Sequence, residues 1–149
     1  MNRWTVIVSG GMLEEEFARS VLENPEIEFI IGVDRGLEFL YRHEICPNYI
    51  VGDFDTVSGE VVERFRNLPF IVWEQHKPEK NETDTELARS RALTLGCEKL
   101  VFLGATGGRL DHMLGNLHAL YACLEKGIDA SLVDTPVSYT HLRAHETRG

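Results

Sequence analysis

The sequence is poor in cysteine, in basic residues and in long apolar runs, and each shortage excludes a class of protein. Its three cysteines, Cys46, Cys97 and Cys123, are too few and too far apart for a disulfide framework or a cysteine metal site. No segment reaches the ~20 apolar residues that a membrane-spanning helix needs. The opening apolar run is too short for a signal peptide, and no small-residue cleavage site follows it. We therefore expect a cytoplasmic protein with no membrane partner.

Basic residues are outnumbered, since 15 Lys and Arg against 24 Asp and Glu give a formal charge of −9. Such a surface repels a phosphate backbone, so nucleic acid is not an expected partner. The P-loop motif G-x-x-x-x-G-K-[ST] is also absent from the chain. An acidic protein of this kind would need a divalent cation and a different loop to bind nucleotide phosphates.

Short apolar runs alternate with helical segments along residues 1–135. The pattern predicts strands at 5–9, 28–34, 49–51, 70–73, 99–103 and 129–133, and helices at 13–22, 37–42, 58–66, 83–96 and 110–127. Most of the strands are apolar on both faces, which is typical of parallel sheets covered on both sides. We predict a doubly wound, Rossmann-like α/β domain with a largely parallel sheet and helices on both faces.

The last residues, 136–149, differ from the rest of the chain. They have no periodicity, and Arg143 and Arg148 against Glu146 make them slightly basic where the domain is acidic. We interpret 136–149 as a tail that does not look native, and we expect it to be unstructured.

Polar clusters follow three of the predicted strands. Asp34 ends the second strand, residues 52–55 end the third, and the glycine-rich residues 104–109 follow the fifth. In an open α/β sheet, ligands bind outside the carboxyl ends of the strands. The three clusters therefore predict a binding cleft at that edge.

Three carboxylates are candidates for a metal site. Asp53 and Asp55 lie two residues apart in an extended segment, so both can face one Mg²⁺ ion, although an Asp-rich turn that caps a helix has the same pattern. Asp84 begins a predicted helix, where an acid can stabilise the helix dipole or supply a third carboxylate.

The turn after the fifth strand is the candidate phosphate site. Gly107 and Gly108 allow backbone amides to approach an anion, and Arg109 offers a bidentate fork. His112 and Asn116 share a helix face with Arg109, while Asp111 can cap the same helix.

These motifs resemble the N-terminal catalytic domain of the thiamine pyrophosphokinase family. The resemblance rests on residues 33–36, 52–56, 83–86 and 107–117, in this order, and extends over about residues 1–135. It implies an ATP-binding domain that transfers pyrophosphate from ATP to thiamine, giving thiamine diphosphate and AMP. It also implies Mg²⁺, a homodimer, and a second, β-rich domain that helps to hold thiamine and that is absent here.

The resemblance assigns a role to each candidate residue. The catalytic and metal-binding residues would be Asp53, Asp55 and Asp84. The resemblance does not say which carboxylate accepts the hydroxyl proton; our candidates are Asp84 and Asp55. The ATP and phosphate site would contain Asp34, Gly107, Gly108, Arg109, Asp111, His112 and Asn116.

Two residues depart from the family pattern, and other functions stay open. Arg35 replaces a usual glycine, so it must tolerate a tight backbone or point into solvent; Thr56 replaces a usual serine and keeps the hydroxyl. The alternatives are a related pyrophosphokinase acting on a hydroxymethylpterin, a non-catalytic nucleotide-binding regulatory module, and a flavodoxin-like domain whose acids only cap helices.

Overall fold

The fold is one seven-stranded sheet with helices beside it. The computed structural model describes residues 4–10, 15–33, 35–52, 57–75, 88, 91–96, 99–104, 127–135 and 138–142. The strands are β1 (Trp4–Val8), β2 (Ile27–Val33), β3 (Tyr49–Gly52), β4 (Val72–Gln75), β5 (Lys99–Leu103), β6 (Asp129–Thr135) and β7 (Ser138–Leu142). The helices are α1 (Glu15–Leu22), α2 (Gly36–Arg42) and α3 (Gly59–Arg66), and residues 88 and 91–94 are also helical.

The strand order is β4-β3-β2-β1-β5-β6-β7. All pairings from β4 to β6 are parallel, and only β7 runs antiparallel to its neighbour β6. From β1 the chain builds outward to β4, and β5 then returns to the other side of β1. This confirms the predicted doubly wound sheet and places its topological switch point between β1 and β5.

Alternate residues of the central strands are buried on opposite faces. Ile7 and Phe102 pack in one cluster with Ala88 and Ala92, each of which is helical. The other cluster takes in both neighbours of Ile7 in β1 and buried residues of α1, α2 and α3 (Val6, Val8, Ala18, Leu37, Leu40 and Phe65). Apolar side chains therefore point to both faces, and helices cover both, as predicted.

The start of α3 agrees with the sequence pattern, whereas the start of β4 does not. Ser58, the first residue of the predicted helix 58–66, is the N-cap of α3, although its side chain makes no capping hydrogen bond. Its backbone N–H instead donates to Glu38 Oε1 at 3.4 Å. β4 begins at Val72 rather than at Phe70, whose side chain is 62% exposed in the preceding turn.

Residues 138–142 form β7, so the expectation of an unstructured tail is wrong for this segment. Thr and Tyr within it favour extended backbone, and β6 would otherwise present an unpaired edge of backbone N–H and C=O groups. Pairing runs from Ala130 opposite Leu142 to Thr135 opposite Ser138. The remaining residues of 136–149 lie outside the described part of the chain.

Among the described helices, none has the length and apolar character that crossing a bilayer requires.

Candidate functional site

The carboxyl ends of four parallel strands lie at one edge of the sheet. Val8 of β1 is paired with Gly32 of β2 on one side and with Leu103 of β5 on the other. Val33 is in turn paired with Val51 of β3. The segments that contain the candidate residues therefore leave the sheet at this common edge.

Ser9 lies at the switch point itself. Its backbone N–H donates to Leu103 O at 2.8 Å, which extends the contact between β1 and β5 by one residue. The Ser9 hydroxyl is buried, and among the described residues it has no hydrogen-bond partner. Buried hydroxyl groups are normally satisfied, so this one calls for an explanation.

The turn before α2 packs directly against the end of β1. A Cβ atom on Gly36 would lie 2.0 Å from Val8 O and 3.1 Å from the Cα of Ser9. One on Gly10 would lie 2.5 Å from the Cβ of Arg35. Residues 35–36 are thus held against residues 8–10 at van der Waals distance.

Arg35 tolerates the position where the family usually has glycine. Its φ of −67° and ψ of −11° are ordinary right-handed helical values, so no glycine is needed there. Its side chain is 63% exposed, with Nε 3.9 Å from Glu38 Oε2. Of the two options left open by the sequence, the structure shows a side chain directed to solvent.

Gly52 sets the turn that follows β3. It is buried and has a φ of 142°, in a region that only glycine adopts without strain. Gly104, at the end of β5, has a φ of 70°. Candidate residues follow both turns in the sequence: Asp53 comes directly after Gly52, and the glycine-rich residues 105–109 come directly after Gly104.

A small polar cavity of about 210 Å³ lies beside the end of β1. It lies between the end of β1, the start of α1 and the turn that leads into α2, and among the described residues it is lined by Ser9, Gly10, Glu15, Arg35, Glu38, Phe39 and Arg42. Glu15 is engaged by two partners, since His43 Nε2 lies 2.8 Å from Oε1 and Arg42 Nη2 lies 3.2 Å from Oε2. The hydrogen bonds from His43 and Arg42 hold the pKa of the Glu15 carboxyl below its ordinary value of 4.5.

This network predicts a pH dependence of stability. Because the folded pKa of Glu15 is depressed, its contribution is present above pH 4.5 and is lost as the pH falls below that value. We expect Glu15→Gln to reduce the acid-side slope of the unfolding free energy, measured by urea titration at several pH values. The effect should be small, because the carboxylate is 46% exposed and water screens it. Glu16→Gln, on the exposed neighbour, is the control; an equal change in both variants would contradict the prediction.

All ten residues predicted for the site lie outside the described residues: Asp34, Asp53, Asp55, Asp84, Gly107, Gly108, Arg109, Asp111, His112 and Asn116. The structure places the elements beside them. Asp34 separates β2 from α2, Asp53 and Asp55 separate β3 from α3, and residues 107–116 come after β5. Within the described part of the chain, no group of three or more His, Cys, Asp or Glu side chains could hold a metal.

Ser9 and Gly10 were not among the predicted site residues. A polar residue and glycines after a buried strand nevertheless form the same kind of signal as Gly52 and Asp53. That signal could have identified the switch point.

Comparison with known proteins decides the family. The family described as "Thiamin pyrophosphokinase, catalytic domain" matches residues 22–132, which include all ten candidate site residues. The chain belongs to this family. Ser9 and Gly10 precede the matched range.

Individual members of the family agree with this assignment. The thiamine pyrophosphokinase of Bacillus subtilis (strain 168) is 35% identical over 104 residues, which are 70% of this chain and 48% of that protein. The crystal structure of thiamine pyrophosphokinase from Bacillus subtilis superimposes with a TM-score of 0.76 at 28% identity, covering 90% of this chain and 61% of that one. The enzyme from Geobacillus thermodenitrificans gives 0.71 at 29% identity, covering 89% and 59%. The chain therefore spans about half the length of the B. subtilis relative.

Proposed function

We propose that this protein is a thiamine pyrophosphokinase, which transfers pyrophosphate from ATP to thiamine and releases AMP. The observation that carries the proposal is the match of the catalytic-domain family to residues 22–132. The fold supports it, because the strand ends that precede the candidate residues share the ligand-binding edge of a doubly wound sheet.

In this proposal the thiamine hydroxyl oxygen attacks the β-phosphorus of ATP. The bond from that phosphorus to the oxygen bridging the α-phosphate breaks, and AMP leaves with the electron pair. Asp84 or Asp55 accepts the proton of the hydroxyl. Transfers of this type pass through a loose transition state, so catalysis consists mainly of positioning and charge neutralisation.

Asp53, Asp55 and Asp84 are the residues that we propose hold Mg²⁺. Carboxylate oxygens are the hard ligands that this ion prefers, and the ion supplies positive charge to the phosphates in a chain whose own charge is −9. Arg109 holds a phosphate bidentately. Asp34, Gly107, Gly108, Asp111, His112 and Asn116 form the remainder of the nucleotide site.

We further propose that the protein acts in the cytoplasm and as a homodimer. The sparse and scattered cysteines support the first point, because they fit a reducing compartment. The second comes from the family resemblance alone.

Nucleotide binding and turnover test the proposal. We expect calorimetry of the chain to show saturable ATP binding that requires Mg²⁺. In a longer protein that contains this chain, we expect AMP to be released with thiamine and not with hydroxymethylpterin. Release with the pterin alone would replace the proposed substrate. Binding of ATP without turnover, in a longer protein that contains this chain, would favour a regulatory module. Equal binding with and without Mg²⁺ would contradict the metal assignment.

A further inference from the structure

The Ser9 hydroxyl has no hydrogen-bond partner in the described part of the chain, and it lies at the place where ligands of doubly wound sheets bind. Its backbone is fixed by the 2.8 Å hydrogen bond to Leu103 O, Ser9 lines the cavity at the end of β1, and its hydroxyl oxygen is buried. Burial of a polar group without a partner is unfavourable, and such groups often become satisfied when a ligand binds.

Arg35 brings a loosely paired positive charge to the same cavity. Its Nε lies 3.9 Å from Glu38 Oε2, longer than the ~2.7–2.9 Å of a charge-assisted hydrogen bond. Arg42 and Arg91 approach their carboxylate partners more closely, at 3.2 Å and 2.7 Å. Arg35 can therefore turn its guanidinium toward a ligand at little cost, while contact with Gly10 holds the base of its side chain in place.

The cavity is suited to a small anion by its charge and by its size. Among the described residues, two arginines and two glutamates line it, so their charges cancel in a chain of net charge −9. Glu15 is already engaged by Arg42 and His43. Glu38 is the repulsive group, but it is directed to Arg35 and to the Ser58 N–H. A volume of about 210 Å³ is below the ~300–1,000 Å³ of sites for drug-sized ligands and fits a phosphate group.

We propose that Ser9 and Arg35 form a subsite for a phosphate group at the switch point between β1 and β5. Rotation of the Ser9 side chain brings its hydroxyl into the cavity, where it donates its hydrogen to a phosphate oxygen, and Arg35 supplies the positive charge. The inference rests on the proposed function, since that function brings a polyphosphate to this edge of the sheet. The phosphate can belong to ATP or to the thiamine diphosphate product, and titrations with the separate ligands distinguish the two.

Calorimetry on the full chain with Mg-ATP, inorganic pyrophosphate and thiamine diphosphate tests the subsite. We expect Arg35→Gln to weaken binding of the relevant ligand by about tenfold or more, and Ser9→Ala by about threefold to tenfold. Arg35→Lys should recover part of the loss, because it keeps the charge without the fork. Arg19→Gln is the matched control, since Arg19 is an exposed arginine paired with Glu23 on α1; its affinity should stay within about twofold of the unchanged protein.

Thermal unfolding without ligand separates binding from folding. Ser9→Ala removes a buried hydroxyl that has no partner among the described residues, so its melting temperature should be unchanged or higher while its affinity falls. A lower melting temperature together with unchanged affinity would assign Ser9 a structural role and overturn the inference.

The two proposals fail in different ways. Mg-dependent turnover in the unchanged protein, together with full affinity in Arg35→Gln and Ser9→Ala, would overturn the subsite and leave the proposed function standing. Absence of saturable binding for all three ligands in the folded, unchanged protein would overturn both.

Discussion

Gly36→Ala is expected to lower the free energy of unfolding by about 3 kcal/mol or more. The new methyl group would lie 2.0 Å from Val8 O and 2.6 Å from the Val8 carbonyl carbon, and both are backbone atoms of the central strand. A flexible side chain could move away from such a contact. A strand that is hydrogen-bonded on both sides, to β2 and to β5, cannot move without loss of sheet pairing.

Gly59→Ala provides the matched control for this change. Gly59 is the first residue of α3, and a Cβ atom there would meet no atom within 4 Å. Alanine is the better helix former, so this variant should be neutral or more stable by about 0.5–1 kcal/mol. Urea titration of both variants measures the difference. Equal midpoints for Gly36→Ala and the unchanged protein would mean that the turn before α2 is not packed against β1 as described.

Asp53→Asn is expected to reduce Mg-dependent AMP release by at least about 100-fold in a protein with the proposed activity. Asparagine has nearly the same shape but lacks the negative charge that a hard divalent cation requires. The fold should survive, since the turn after β3 is set by the positive φ of Gly52 and not by the residue after it. Circular dichroism and a urea titration check that point.

Asp129→Asn is the control for the loss of one carboxylate. Asp129 begins β6, so it lies at the amino end of a parallel strand, on the edge of the sheet opposite to the site. AMP release and Mg-ATP affinity should be unchanged in this variant. Unchanged ATP affinity and turnover in Asp53→Asn as well would mean that Asp53 only serves a solvated turn, as in the flavodoxin-like alternative.

Local sequence patterns were sufficient to predict most of the fold. The prediction for β5, residues 99–103, coincides with the observed strand, and α2 begins one residue earlier than predicted. Buried strands with two apolar faces and short loops carry their own signal, because burial selects the same residue types along the whole run. The parallel arrangement and the helices on both faces followed from the alternation of strands and helices together with the two apolar faces of most strands.

The errors occurred where structure depends on a distant partner. The apolar character of Phe70 indicated a strand, but the pairing of Tyr49 with Val72 sets the start of β4. β7 forms because it pairs with the edge of β6, and the sequence of 138–142 alone does not predict that pairing. The packing of residues 35–36 on β1 also depends on residues that are distant in the sequence. The same holds for the lack of a hydrogen-bond partner for the Ser9 hydroxyl among the described residues. The ten residues of the metal and nucleotide site stay predictions, supported by the strand ends beside them.

The order of the strands also bears on how the domain folds. From β1 to β4, each strand pairs with the strand that precedes it in the chain. The pairing of Val8 with Leu103, in contrast, has to close a loop that contains three strands, which costs chain entropy before any contact repays it. We therefore expect β1–β4 to form an early folding unit and the β5–β7 unit to dock onto it late. The cleft between β1 and β5 would then form only in this last step. A nucleotide in contact with both units would stabilise the interface between them, which opens first, and would therefore slow unfolding.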